Sequence, residues 1–189
     1  MCHISTGKEW IASSHARKGT KGYSTCADCH MKVTQRPAAK GGKTRDVFQH
    51  VTYGSHDLKS LQEAFRNLSV EVKNGKVNIT LTNDLTGHNL PAGTTGRTVL
   101  IMTAIKNDDG KTMTMHREEY KKGGSADGSQ KAGSGKKVPD TSIPPDKKIT
   151  LAYDVGIEEG EVVVKVLYKH SPSIKDRKAI EVTEKRVSF

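Results

Sequence analysis

From about residue 67 onward the chain alternates apolar and polar positions with the two-residue period of a half-buried β-strand. The clearest stretch is Leu68-Ser-Val-Glu-Val72 and Val77-Asn-Ile-Thr-Leu81, on either side of Asn74-Gly75. Asn-Gly supplies the two positive φ values that a type I′ turn needs, so these residues predict a tight hairpin. Alternation returns at 97–106, 111–116, 147–155, 161–170 and 180–188, with Asp108-Asp109-Gly110 as a turn between the first two. About seven short strands of this kind predict an antiparallel, Ig-like β-sandwich. His116 and His170 fall on these strands and read as exposed or structural residues. Residues 121–137 hold no large apolar side chain and predict a flexible Gly/Lys/Ser loop between strands.

Upstream the period changes. Residues 1–66 are poor in β-branched runs and rich in His, Gly, Lys and Ser, which predicts short helices joined by loops. Lys8 to Ala16 can form one helical piece. Asp57 to Arg66 places Leu58, Leu61 and Phe65 on one helical face, with Asp57 at the positive end of the helix dipole. Between them, Gln35 to Arg45 carries Pro37, Gly41 and Gly42 and predicts a loop. The expected class is mainly β, or α+β, with a segment at 1–66 and a sandwich at 67–189.

Composition sharpens that division. Among 189 residues only 33% are hydrophobic and 5% aromatic, enough for one modest core. The sandwich consumes that core, so the first segment must be ordered by something else. The net charge is +10, but its Lys and Arg side chains are scattered and not interleaved with aromatics, which argues against a nucleic-acid module. They read as a solvated basic surface or as attraction toward an acidic partner. No run approaches the roughly 20 apolar residues of a membrane-spanning helix. No basic and apolar leader opens the chain either.

The chemistry sits in Cys26-Ala27-Asp28-Cys29-His30, the pattern of covalent haem c attachment. Two thiols three residues apart can add to the two vinyl groups of one porphyrin, and the following His then lies beneath the iron. Zinc binding and thiol redox chemistry use similar spacings. Zinc would want a second pair of ligands, and the third cysteine, Cys2, lies 24 positions upstream beside His3. A thioredoxin-like motif would sit in a βαβ unit, which the pattern here lacks. A haem would also offer on the order of several hundred Å² of apolar surface to the segment that lacks a core. Low-spin electron carriers take two imidazoles per iron, so His30 needs a second ligand, for which His15, His50, His56 and His88 are candidates. Cys2-His3 reads as the end of a second attachment motif whose first cysteine is absent. Trp10 is expected to pack on haem or on the short helix.

With those residues placed, the chain resembles the multihaem c-type cytochromes in which a haem-binding segment precedes a β-sandwich. Cys2-His3, Trp10, Ser13, His15-Ala16 and Cys26-Ala-Asp-Cys-His30-Met31 are similar to that family's C-H…W…S-x-H-A…C-x-x-C-H-M arrangement. His50-Val-Thr-Tyr-Gly-Ser-His56 is similar to its H-x-F-x-G-S-H segment, with Tyr53 in place of Phe. Asn83, Gly87-His88-Asn89-Leu90-Pro91-Ala92-Gly93 and Arg97 resemble N…G-H-x-L-P-x-G…R, and Asp140-Thr-Ser-Ile143-Pro144-Pro145 resembles D-x-x-I-x-P. The resemblance implies haem c as cofactor, held by Cys26, Cys29 and Cys2. It implies iron ligation by His30, His3, His15, His50, His56 and His88. Relatives usually carry several complete attachment motifs, whereas one is complete here.

These readings imply electron transfer through bis-histidine, low-spin haem, between other redox proteins or copies of the same chain. A homo-oligomer or an extracellular haem filament is one form of that. Covalent haem attachment further implies export to the periplasm or beyond, with removal of a leader. Two other functions stay open at this point. One is a haem enzyme reducing a small nitrogen or sulfur oxyanion at an open iron. The other is a binding module in which the sandwich recognises a mineral, a polysaccharide or another subunit.

Overall fold

The computed structural model describes residues 4–49, 54–125 and 137–189. Cys2, His3, His50 and Tyr53 lie outside the described residues, as do residues 126–136 of the expected loop.

The N-terminal segment contains helix α1 (Ile4–Ile11), a 3-10 turn at Ser14–Ala16, helix α2 (Cys26–His30), strands β1 (Val33–Pro37) and β2 (Thr44–Phe48), and helix α3 (Leu58–Ala64). The helical piece expected from Lys8 onward thus starts earlier and breaks at Ser13. Ser13 is 1% exposed, and its hydroxyl donates to the Trp10 carbonyl at 2.7 Å, which turns the chain into the 3-10 turn. The expected loop at 35–45 is a second correction. Val33–Pro37 and Thr44–Phe48 pair antiparallel, with Val33 opposite Phe48 and Thr34 opposite Val47, so only 38–43 connect them. The Gly and Pro residues there mark the turn of a hairpin whose short flanking strands carry too few alternating positions to stand out in sequence.

The sandwich follows the alternation closely. Strands β3 (Ser69–Lys73), β4 (Lys76–Thr82) and β9 (Lys148–Asp154) form one antiparallel sheet. Strands β5 (Thr98–Lys106), β6 (Thr112–Lys121), β10 (Glu161–Lys169) and β11 (Ile180–Ser188) form the other, in the order β11-β10-β5-β6. In the β3–β4 hairpin, Asn74 and Gly75 take φ of 53° and 70°, the left-handed values their side chains tolerate. β6 runs five residues further than the sequence pattern indicates. Two short strands, β7 (Gly124–Ser125) and β8 (Lys137–Val138), then pair across the base of the excursion.

Alternate residues of the two sheets face each other. Val77, Ile79 and Leu81 of β4 meet Val99, Ile101 and Ile105 of β5 and Val162, Val164, Val166 and Tyr168 of β10 in one core. Every one of these is at most 2% exposed. Helix α3 closes one end. Asp57 caps it by accepting from the Ser60 backbone N–H at 2.9 Å, and Leu61, Ala64 and Phe65 insert into the same core. Across the gap between β6 and β9, His116 stacks on Tyr153 with ring centroids 3.8 Å apart. The Tyr153 hydroxyl donates to Glu118 at 3.1 Å. Burial, aided by that carboxylate, pushes the Tyr153 pKa up to about 12. His116 is therefore a packing residue of the sandwich edge. Among the described residues no helix is long and apolar enough to cross a membrane.

Candidate haem-binding site

Helix α2 is a single turn, and its start is fixed by a capping box. The Thr25 hydroxyl accepts from the Asp28 N–H, while the Asp28 carboxylate accepts from the Thr25 N–H at 2.7 Å. The Thr25 N–H first, and then the Thr25 hydroxyl donating at 2.8 Å, hold the Asp28 carboxyl below its usual range. Because Cys26 and Cys29 are three apart on a helix, both thiols project from one side. Both are exposed free thiols, and Cys29 Sγ donates to the Ser24 hydroxyl at 3.9 Å. His30 follows on the same turn. Covalent attachment needs accessible thiols on one side and an adjacent imidazole, and this arrangement fits the group.

A second imidazole approaches His30 from the sandwich. The His88 ring centroid lies 6.2 Å from that of His30, with the two planes 19° apart. Two imidazole nitrogens each about 2 Å from one shared metal, with the ring radius added on both sides, give a centroid separation of roughly 6 Å. Burial lowers the His88 pKa and so favours the neutral ring that ligation requires. Its Nδ1 lies 3.0 Å from the Asn89 carbonyl oxygen. A carbonyl only accepts, so Nδ1 carries the hydrogen and the ring's free lone pair is on Nε2. Among the described residues no three His, Cys, Asp or Glu side chains gather as a bare metal ion would need. A porphyrin iron asks two ligands of the protein.

Several bonds hold the His88 segment in place. Asn83, fully buried, donates through Nδ2 to the carbonyls of His88 and Ile143, each at 2.9 Å. Leu90 and Ile143 exchange backbone hydrogen bonds of 2.9 and 2.8 Å. Gly87 is a close approach: a Cβ there would stand 2.7 Å from Trp10 Cδ1. Trp10 thus packs on the backbone next to His88, and its indole N–H donates to the Ser24 carbonyl at 3.0 Å. Glu9 bridges helix and sandwich, accepting from the Asn89 N–H at 3.0 Å and from the Lys122 ammonium at 2.8 Å. Lys122 also reaches Asp140 at 2.8 Å. Burial works against its charge, yet the bonds to Asp140 and Glu9 outweigh burial and raise its pKa. Ser14 adds a further tie, donating to the Asp146 carboxylate through both N–H and hydroxyl at 2.6 Å.

Asn83→Ala should destabilise the fold by about 1–3 kcal/mol, because two buried carbonyls lose their donor. Urea unfolding should show a lower midpoint at unchanged slope.

The other predicted ligands divide by what their nitrogens do. His15 Nε2 donates to the Asp84 carbonyl at 3.0 Å, and its Nδ1 accepts from the Ser24 hydroxyl at 3.0 Å, so in this conformation both nitrogens are engaged. Its Cβ lies against Gly87, one residue from His88. His56 is stacked on His170, with ring centroids 4.3 Å apart. Sequence reasoning missed Glu9 and Lys122. Glu9 carried no distinguishing pattern, while His170, expected to be exposed or structural, contacts Ser55 and His56.

No protein-family model matches the chain, and neither does any curated protein. Among solved structures, the chain is similar to a penta-heme cytochrome c552 from Thermochromatium tepidum, with a TM-score of 0.68 at 18% sequence identity. The match covers 97% of this chain and 50% of that one, so the chain spans about half the length of that relative. At this identity the likeness establishes a shared fold, in which a multihaem c-type cytochrome arranges its chain as this protein does.

Proposed function

We propose that the protein is a c-type cytochrome that transfers electrons, with a haem attached through Cys26 and Cys29 and held between His30 and His88. The observation that carries this reading is the His30–His88 pair. The attachment segment and the sandwich, 58 positions apart in sequence, bring two nearly parallel imidazoles to the separation of an axial pair. When bound, haem c supplies the one-electron couple. The protein's part is to fill both axial positions, so that iron binds no substrate. His88 is kept neutral by burial and oriented by Asn89, while Trp10, Glu9 and Asn83 hold its backbone. In the same reading Cys2 and His3 serve a second haem, and His15, His50 and His56 are ligands to neighbouring haems. Export to the periplasm or the cell exterior follows from the attachment chemistry. The partners are other redox proteins or further copies of this chain, and in a haem filament a histidine of one copy completes the iron of the next.

His88→Ala tests the reading in the matured holoprotein. The wild-type ferrous form should ignore carbon monoxide, and the variant should bind it at one haem with the spectral change of an opened iron. Carbon monoxide binding by the wild type would favour an open, catalytic site. A variant that stays closed would remove His88 from the ligand set. Solution size separates the filament from a monomer.

A further inference from the structure

Among the described residues, two histidine pairs join the N-terminal segment to the sandwich, His30 with His88 and His56 with His170. The second pair differs in kind. His170 directly follows β10, and its ring lies face to face with that of His56, with centroids 4.3 Å apart and planes within 10°. That is direct contact, with no room for a metal between the faces. His170 Nε2 lies 2.7 Å from the Ser55 carbonyl oxygen, so Nε2 carries a hydrogen and donates it. Behind it stands Tyr168, 2% exposed, which meets the His170 ring edge-on at 5.1 Å and 70°.

His170 is therefore braced by the core and grips two consecutive residues at once, Ser55 by its backbone and His56 by its ring. The grip covers one face of His56 and, among the described residues, makes no use of the ring edge where both nitrogens lie. His56 is exposed, and among the described residues its nitrogens make no hydrogen bond. Such a contact holds an imidazole in one plane without using its lone pairs. Gly54, at φ +143°, makes the turn into this dipeptide.

We propose that His170 is a positioning residue for His56: from the end of β10 it clamps Ser55 and His56 and sets the plane in which His56 presents its nitrogen to a haem iron. The inference rests on the reading of His56 as an axial ligand. A ligand that need not be ordered on binding holds its metal more tightly, and outer partners of metal-bound histidines are typically worth about 10–100-fold in affinity.

The matured holoprotein tests it with two variants. His170→Ala removes both the ring face and the bond to Ser55, while His170→Phe keeps the face and removes only the bond. In the ferrous protein, carbon monoxide competes with the His56 ligand. His170→Ala should raise carbon monoxide affinity at one haem about 10-fold or more. It should also move that haem's low-spin signal in the ferric electron paramagnetic resonance spectrum. His170→Phe should fall between wild type and alanine in both readouts. His56→Ala should open the same haem completely. If His56→Ala changes both readouts and His170→Ala changes neither, the positioning role is overturned while the ligand stands. If His56→Ala changes nothing, both fall together. Should His170→Ala fail to fold, His170→Phe decides, and wild-type readouts from it overturn the proposal.

Discussion

Cys26→Ser together with Cys29→Ser should yield a matured chain lighter by one haem group than the wild type, with loss of the absorption that this haem contributes. Intact-chain mass spectrometry reads the difference directly. The sandwich should survive the change. Both thiols are exposed, and neither contributes to the core built by β4, β5, β10 and helix α3. Near-native far-ultraviolet circular dichroism from the strands is the second expected result. The prediction separates the attachment chemistry from its rivals, because a zinc site or a thiol redox pair would leave no haem increment in the wild type either. An unchanged haem mass in the double variant would place the covalent link elsewhere.

Phe65→Ala should cost about 3–5 kcal/mol, the range for removing a fully buried aromatic side chain together with the cavity it leaves. Phe65 is 1% exposed and lies at the C-terminal end of α3, where the N-terminal segment passes into the sandwich. Leu61, Ala64 and Leu68 line the same region, so no flexible neighbour stands ready to refill the volume. Thermal and denaturant unfolding measure the loss. The effect should also separate from the cofactor: covalent attachment at Cys26 and Cys29 persists in the variant, so the haem mass remains while the fold weakens. A cost below about 1 kcal/mol would mean that α3 is not seated in the core.

The two halves of the chain were legible to different degrees, for a physical reason. In the sandwich each strand buries one face, so hydrophobicity alternates at every second residue and the pattern is local. Leu68 to Leu81 and the strands after it were readable for that cause, and the two hairpins expected from their turns are paired, β3 with β4 and β5 with β6. Among the described residues of the first 66, few outside α3 are buried. Cys26 and Cys29 are exposed, α1 and α2 are short, and the β1–β2 hairpin pairs only with itself, so periodicity there had little to report. That hairpin was read as a loop for this reason.

The proposed attachment motif is written in one dimension, because two thiols and an imidazole must be near neighbours along the chain to reach one porphyrin edge. So were the strands, the α3 face and the roster of histidines. Which histidine faces which was not. His30 and His88 meet because Asn83, Glu9 and Gly87 fold a sandwich loop against α1, and His170 meets His56 because β10 ends beside Ser55. Contacts between positions more than 50 residues apart depend on how strands pair and sheets pack. Only the folded chain decides which ring N–H groups are spent on backbone carbonyls, as in His15, and which rings are held by a face, as in His56.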